Sequence, residues 1–248
     1  MELGLQGRRA AVAAGSSGLG LGVVRALAGE GARVAFCGRD RGRLESAAAS
    51  IEGEARPIVT DLATPEGATG FVAAADEALG GVDILVCNAG GPPAGTFAST
   101  PMPAYRDALD LNLLSTVAMC EAAVPAMRSQ RWGRVLVITS ATVREPAANL
   151  ILSNVARAGA TAFAKTLARE VAADGITVNT LQPGLHDTPR LDDLGAADRG
   201  ALAAAIPARE LGDPDDFGRV AAFLCSDAAR FVTGVSLPID GGRFAGLQ

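Results

Sequence analysis

The sequence predicts an α/β fold, a doubly wound parallel sheet of about seven strands with helices on both faces, in one domain spanning residues 1–248. Three observations predict it. Short apolar runs alternate with longer helical patterns along the whole chain. The runs are nearly continuous in Val, Ile, Leu and Ala, which is typical of strands covered on both faces. A glycine-rich turn joins the first run to the first helical pattern, as in a Rossmann fold.

The alternation predicts each element in turn. Strands are expected at 10–14, 33–37, 56–59, 84–87, 134–139, 177–181 and 235–237, and helices at 20–30, 41–51, 65–79, 102–129, 154–173 and 215–225. The stretch 185–207 interrupts the alternation of strands and helices, because it mixes Asp, Gly and Pro with a short Ala-rich helix after a strand end. We interpret it as a lid over a ligand site; an ordinary surface excursion is the alternative.

Composition excludes several classes of function. A net charge of −5 argues against binding to nucleic acid or to an anionic membrane. The four cysteines are far apart and lack C-x-x-C spacing, so we expect small buried residues and neither a zinc site nor a disulfide framework. No apolar run approaches the ~20 residues needed to span a bilayer, and the run after Arg8-Arg9 is too short for a signal peptide. A cytoplasmic location is therefore expected.

The glycine-rich turn predicts a dinucleotide site. It lies between a strand and a helix, where small residues let the backbone approach a pyrophosphate and the helix N-terminus offers free N–H groups. Without this strand-turn-helix setting, a glycine motif would be a weak signal. The residues expected to hold the phosphates are Gly15, Ser16, Ser17, Gly18, Leu19 and Gly20.

With this motif the chain resembles the short-chain dehydrogenase/reductase family over nearly its full length. The family's first motif is Thr-Gly-x-x-x-Gly-x-Gly. Ala13 and Ala14 stand at its Thr and first Gly, and Gly18 and Gly20 match. We expect Gly15 to supply the flexibility lost at Ala14.

Further family motifs follow in order at predicted strand ends. The resemblance implies that Asp61 and Leu62 lie by the adenine ring and that Asn88, Ala89 and Gly90 form the turn after the fourth strand. It also implies that Pro183, Gly184 and Thr188 hold the nicotinamide carboxamide. Asp240-Gly241-Gly242 resembles the closing motif.

The end of the second strand indicates which dinucleotide is bound. An acidic residue at position 38 would bond the ribose 2′-hydroxyl of NAD. Gly38 stands there instead, and the cation Arg39 follows. Because a guanidinium suits a 2′-phosphate, NADP(H) is favoured over NAD(H). A solvated loop cation is the alternative reading of Arg39.

The resemblance also implies a catalytic group, from which the chain departs. The family uses an Asn that holds a relay water, a Ser that polarises the carbonyl, a Tyr that donates the proton and a Lys four residues later. Asn112 and Ser140 match the first two. The trailing Ala158-Gly159 sets the register, so that Ser153 stands at the Tyr position and Arg157 at the Lys position.

These two replacements change the expected chemistry. A serine hydroxyl is too weak an acid to replace the phenol, although it can orient a water or the substrate. Arg157 keeps a positive charge on the same helix face as Ser153 and can hold ribose hydroxyls or stabilise an alkoxide. His186, the only histidine, follows Pro183-Gly184 and is the candidate for a substitute acid; the alternative is a solvent-facing loop residue.

Three functions remain open at this point. The first is an NADP(H)-dependent oxidoreductase acting on a small carbonyl or alcohol with a non-standard proton donor. The second is a dinucleotide-binding sensor or structural subunit without turnover. The third is a non-redox enzyme that reuses the pocket. The resemblance implies a homo-oligomer, a tetramer or dimer.

Overall fold

The protein contains a single parallel β-sheet of seven strands in the order β3-β2-β1-β4-β5-β6-β7. A computed structural model describes residues 2–195 and 198–247. The strands are β1 (Arg9–Val12), β2 (Arg33–Gly38), β3 (Ala55–Val59), β4 (Ile84–Cys87), β5 (Gly133–Ile138), β6 (Ile176–Pro183) and β7 (Ser236–Ile239). This is the α/β class and the strand number that the sequence predicts.

Burial explains the apolar runs. Every residue of β4 and β5 is buried, because both strands lie inside the sheet under helices on either face. β3 is an edge strand that pairs only with β2, and it is the most exposed of the seven. Pro57 is tolerated there since one side of the strand needs no ladder hydrogen bond.

Two hydrophobic clusters cover the two faces of the sheet. α3, α5 and α6 supply one, and α1, α2 and α9 supply the other. The helices are α1 (Gly18–Gly29), α2 (Arg41–Ala49), α3 (Pro65–Leu79), α4 (Met102–Leu109), α5 (Ser115–Gln130), α6 (Ile151–Val171), α7 (Arg190–Asp193), α8 (Arg199–Ala204) and α9 (Pro214–Cys225).

Several predicted boundaries are wrong in ways that affect the site. β1 ends at Val12, because the chain turns at Ala14 with a positive φ of 47°. α6 begins at Ile151, so Ser153 lies inside the first helical turn. The long helix predicted over 102–129 is divided by a π-helical turn, Asp110–Leu114, which widens the helix by one residue.

Two further expectations concern apolar segments and cysteines. Helical residues Met102–Gln130 are just long and apolar enough to cross a membrane, contrary to the expectation that no segment would be. Half of the most apolar part of this stretch is buried inside the fold, where α5 packs against α3, β4 and β5. This is the environment of a core helix. All four cysteines are buried, as predicted.

Candidate active site

The candidate site lies at the carboxyl edge of the sheet, where β1 and β4 are neighbours. From β1 the chain runs outward to β2 and β3, and then returns to β4 on the other side of β1. This reversal leaves a crevice beyond the strand ends, where open α/β sheets bind ligands.

The phosphate loop connects β1 to α1 over residues 13–17. Ala14 itself adopts the left-handed conformation, and Gly15 does not, so the expectation that Gly15 supplies this flexibility is wrong. Gly15 is needed for space instead. A Cβ there would lie 2.8 Å from the Cβ of Phe36 and 2.9 Å from Cγ2 of Val24.

The start of α1 leaves its first backbone N–H groups free. The N-cap Ser17 makes no side-chain cap hydrogen bond, so these donors and the positive end of the helix dipole remain available to a phosphate. Gly20 permits this approach, because a Cβ there would overlap the carbonyl of Ala14. Asn88 donates from Nδ2 to that same carbonyl at 3.3 Å and ties β4 to the loop.

Gly18 and Leu19 open the helix itself, and Thr188 lies against them from the far side of the crevice. A Cβ at Gly18 would contact the side chain of Thr188 at 3.4 Å. The loop after β6 therefore faces the phosphate loop, as the motif order predicts. At the end of β6, the N–H of Gly184 donates to the carbonyl of Ile239 at 2.8 Å.

The end of β2 provides a free cation. A Cβ at Gly38 would lie 2.8 Å from Oγ of Ser16, so a side chain at that position would require Ser16 to shift. Arg39 is exposed and makes no ion pair within residues 2–195 and 198–247. Nearby, Asp61 accepts a hydrogen bond from the N–H of Ala63 at 3.0 Å, and Leu62 is buried.

Arg157 is the central charged group of the site. Its Nη1 donates to the carbonyls of Ile138 and Thr139 at 2.9 and 3.1 Å, and its Nη2 donates to Ala89 at 3.2 Å. No carboxylate within the described chain pairs with it. Burial and the nearby charge of Arg190 lower the pKa of Arg157 to about 10, so it is still protonated near neutrality. An uncompensated positive charge is therefore buried between the ends of β4 and β5.

Asn112 sits in the π-helical turn and points towards the same strand ends. Its Nδ2 donates to the carbonyl of Gly90 at 3.0 Å. Its Oδ1 is buried and has no hydrogen-bond partner among the described residues. An orphaned acceptor of this kind is costly unless a water or ligand group donates to it.

The two candidate serines differ in their bonding. Ser140 follows β5 and accepts hydrogen bonds from N and Oγ1 of Thr142 at 3.2 and 3.0 Å. Ser153, one turn before Arg157 on α6, is buried to 7% exposure. Its hydroxyl forms no hydrogen bond within the part of the chain that is described, which leaves it free for a water or a ligand.

His186 is not brought into this group. Its ring packs edge-on against Phe217 of α9, with centroids 5.3 Å apart, and against Gly212. It is 5% exposed, so it is neither solvent-facing nor open to the crevice. Burial lowers its pKa, against the smaller effects of the Gly184 carbonyl and Asp213, and favours the neutral ring. This packing gives no support to the expectation of a substitute acid.

Arg190 is a site residue that the sequence analysis missed. It begins α7 within the expected lid, and its Nη2 donates to the carbonyl of Pro92 at 2.6 Å. Its guanidinium occupies the space beside Gly91 and is close enough to affect Arg157. The sequence did contain a signal for this residue, since it places a cation two residues after Thr188 in the same turn. Residues 196 and 197 of the expected lid, 185–207, lie outside the described residues.

These features fit a dinucleotide. The uncapped start of α1 and the exposed Arg39 follow the ends of β1 and β2, and Asn112, with its orphaned Oδ1, is bonded to Gly90 after the end of β4. The Ser153 hydroxyl, which forms no hydrogen bond within the described residues, lies one turn before Arg157, which is bonded to the ends of β4 and β5. Fold and site together define the class of protein: a Rossmann-fold domain of the dinucleotide-binding type.

Comparison with known proteins identifies the family. A family model described as Enoyl-(Acyl carrier protein) reductase matches residues 13–243. The 3-oxoacyl-(acyl-carrier-protein) reductase FabG of Vibrio cholerae is 31% identical over 98% of this chain and 99% of its own length. Dehydrogenase/reductase SDR family member 4 of Sus scrofa is 32% identical over 98% and 89%. The chain therefore belongs to the short-chain dehydrogenase/reductase family.

Solved structures agree with this assignment. L-sorbose reductase from Gluconobacter frateurii, determined in complex with NADPH and L-sorbose, superposes with a TM-score of 0.93 at 30% identity, covering all of both chains. A putative short-chain alcohol dehydrogenase from Sinorhizobium meliloti superposes at 0.90 with 32% identity over all of both chains.

Proposed function

We propose that this protein is an NADP(H)-dependent oxidoreductase that reduces a small carbonyl compound, or oxidises the alcohol, without a tyrosine as proton donor. The observation that carries the proposal is the buried, uncompensated charge of Arg157, whose guanidinium is bonded to the carbonyl of Thr139, the residue before Ser140. Reduction of a carbonyl develops negative charge on its oxygen, and a preorganised cation in a water-poor site stabilises that charge. Arg157 is anchored by three carbonyls and needs little reorganisation to do so.

The phosphate loop, Arg39 and the turn 88–90 would hold the dinucleotide, and Asp61, Leu62, Pro183, Gly184 and Thr188 would border it. When bound, this cofactor supplies or accepts a hydride. Gly38, which offers no carboxylate to a ribose 2′-hydroxyl, and Arg39, which forms no ion pair within the described residues, support a 2′-phosphate as the bound group. The NADPH complex of L-sorbose reductase supports the same preference.

Within the pocket, we assign the proton that neutralises the new alkoxide to a water rather than to a side chain, and the hydroxide left by that water takes up a proton from bulk solvent. The orphaned Oδ1 of Asn112 accepts a hydrogen bond from that water, and the hydroxyl of Ser153 orients it. Ser140 donates to the substrate oxygen. Arg157 acts as a fixed cation and not as the acid, because it is protonated near neutrality and its N–H groups are engaged by three carbonyls. His186 has no part in this assignment, since its ring is enclosed by Phe217 and Gly212.

The segment 185–207 is proposed to close over the substrate. The hydrogen bond from Arg190 to Pro92 links the segment to the loop after β4, so movement of this segment opens and closes the same crevice.

The reductase names of the relatives support a small carbonyl substrate.

Transfer of label tests the proposal. We expect deuterium from 4-deuterated NADPH to appear on the carbonyl carbon of at least one member of a broad aldehyde and ketone panel. The double variant S153Y/R157K distinguishes the alternative of a binding protein without turnover. A parent protein without measurable reductase activity, together with turnover about 10²–10⁴-fold higher in the double variant, would indicate a disabled site. A parent protein that reduces a carbonyl, with little increase of turnover in the double variant, would indicate an active site that works without the tyrosine and the lysine.

A further inference from the structure

A second cavity lies at the opposite edge of the sheet from the candidate active site, by the amino ends of β5 and β6. Its volume is about 760 Å³, which is typical of small-molecule sites. β5 alone separates the two edges by roughly 20 Å. The residues that matter in its wall are Arg8, Arg131, Arg134, Arg230, Trp132 and Phe231.

The charge of this cavity is unusual for an acidic protein. Four arginines line it, and Asp227 is the one acidic residue among the described residues of its wall. Arg8 and Arg230 make no ion pair within residues 2–195 and 198–247. Arg131 is only loosely paired, with its Nη1 3.8 Å from Asp174. A concave wall that carries several unneutralised guanidinium groups attracts an anion.

Arg134 and Trp132 form the rigid base of this wall. The guanidinium of Arg8 lies 3.7 Å from the centre of the Trp132 ring and that of Arg134 lies 4.3 Å from it. The indole Nε1 donates to Asp227 at 3.1 Å, and Arg134 approaches the same carboxylate at 3.5 Å. Arg134 is 3% exposed. Asp227 is therefore already engaged by two donors, and Arg8 and Arg230 are left without an ion pair among the described residues.

Thr177 supplies an independent sign that a ligand group is missing. It lines the cavity from β6 and is 4% exposed. Its hydroxyl has no hydrogen-bond partner in the described part of the chain. A buried hydroxyl without a partner is costly, and a phosphate oxygen in the cavity would accept its hydrogen bond.

The rim of the cavity carries an aromatic ring. Phe231 is 99% exposed, although moving a phenyl ring out of water into apolar surroundings is favourable. A planar base stacked on it would remove this surface from water, and such stacking tolerates any base.

We propose that this cavity binds a small phosphate ester that carries an aromatic base, that is, a nucleotide, separately from the dinucleotide crevice. Arg8, Arg131 and Arg230 hold the phosphate groups by charge-assisted hydrogen bonds, and Phe231 stacks on the base. The concave shape favours a small molecule over a flat macromolecular surface.

Trp132 makes the test direct, because it is the only tryptophan in the chain and it lies in the cavity wall. The probe is ADP, titrated into the purified full chain while Trp132 emission is followed. We expect a saturable change. The variant R8Q/R230Q should weaken ADP binding about tenfold or more. The control R106Q/R169Q removes two charges elsewhere on the surface and should bind ADP as the parent does.

A second pair of measurements tests the role of the ring. Phe231→Ala should weaken ADP binding about fivefold or more and leave the binding of inorganic pyrophosphate unchanged. Circular dichroism checks that each variant folds. No saturable signal from ADP would overturn the proposal, as would equal ADP affinity in R8Q/R230Q and the parent. Equal affinity for pyrophosphate and ADP would overturn the assignment of a nucleotide.

Discussion

At the scale of single residues, the decisive group is Arg157, because it combines a structural and a chemical role. Its guanidinium joins the ends of β4 and β5 through three carbonyls. Arg157→Met removes the charge and leaves these acceptors without donors. We expect a loss of about 1–3 kcal/mol in the free energy of unfolding and a fall in turnover of about 10²–10³-fold, measured by urea unfolding and by steady-state reduction.

Arg157→Lys separates the two roles. It keeps a positive charge but has no planar fork to bridge three carbonyls. We expect its stability to fall nearly as far as that of the Met variant while it retains more turnover. Equal turnover in the Lys and Met variants would show that the charge of Arg157 does not act on the reaction.

His186 gives a prediction about pH. Its folded-state pKa is lowered by burial from the ordinary value of 6.5, so the fold favours the neutral ring. Its contribution to stability is complete above pH 6.5 and is lost as pH falls through the lower folded pKa. We expect His186→Gln to flatten this part of the curve of unfolding free energy against pH, measured from pH 7.5 to 5.

The same variant tests the chemistry at this position. His186→Gln loses the ring contact with Phe217, which is worth about 0.5–1.5 kcal/mol, but should keep turnover within a few fold of the parent. A 100-fold loss of turnover in a folded His186→Gln variant would indicate that His186 is the proton donor.

At the scale of elements, the crossing of α1 and α9 depends on two glycines. A Cβ at Gly22 would overlap the carbonyl of Pro214, and one at Gly218 would overlap the carbonyl of Gly22. We expect Gly22→Ala to lower the free energy of unfolding by about 1–3 kcal/mol. Because α1 also presents the phosphate donors, dinucleotide affinity should fall as well. Chemical denaturation and fluorescence titration measure the two effects.

Gly29 is the matched control in the same helix. Nothing lies within 4 Å of a Cβ placed there. Gly29→Ala should therefore stabilise the protein by up to about 1 kcal/mol through helix propensity. If both variants destabilise equally, backbone conformation and not the helix crossing sets the requirement for glycine.

At the scale of the whole molecule, the site joins both halves of the sheet, so ligand binding should stabilise the entire domain. NADPH at 100 times its dissociation constant should add about 2.7 kcal/mol and raise Tm by roughly 5–11 °C, since 1 kcal/mol shifts a domain of this size by about 2–4 °C. Thermal unfolding with NADPH and with NADH measures this.

Arg39→Gln tests the selectivity of the whole protein for NADPH over NADH. It should weaken NADPH binding about tenfold or more and leave NADH binding unchanged, whereas Arg169→Gln should affect neither. An equal loss for both dinucleotides would mean that Arg39 does not contact the 2′-phosphate.

The sequence by itself determined the fold and the order of the motifs along it. Buried parallel strands require apolar runs, and a strand-turn-helix unit that binds phosphate requires small residues, so both leave a pattern that can be read locally. The seven strands and the position of the phosphate loop follow from these patterns. The placement of Ser140 after β5 follows from them as well.

Only the tertiary structure decided how the individual groups meet. That Ala14 takes the strained conformation and Gly15 the crowded position depends on Phe36 and Val24, which arrive from other elements. That His186 is packed against Phe217 depends on α9, about 30 residues further along the chain. Whether Arg157 and the arginines of the cavity have a counter-charge depends on their distances from carboxylates. Packing between distant segments of the chain sets those distances.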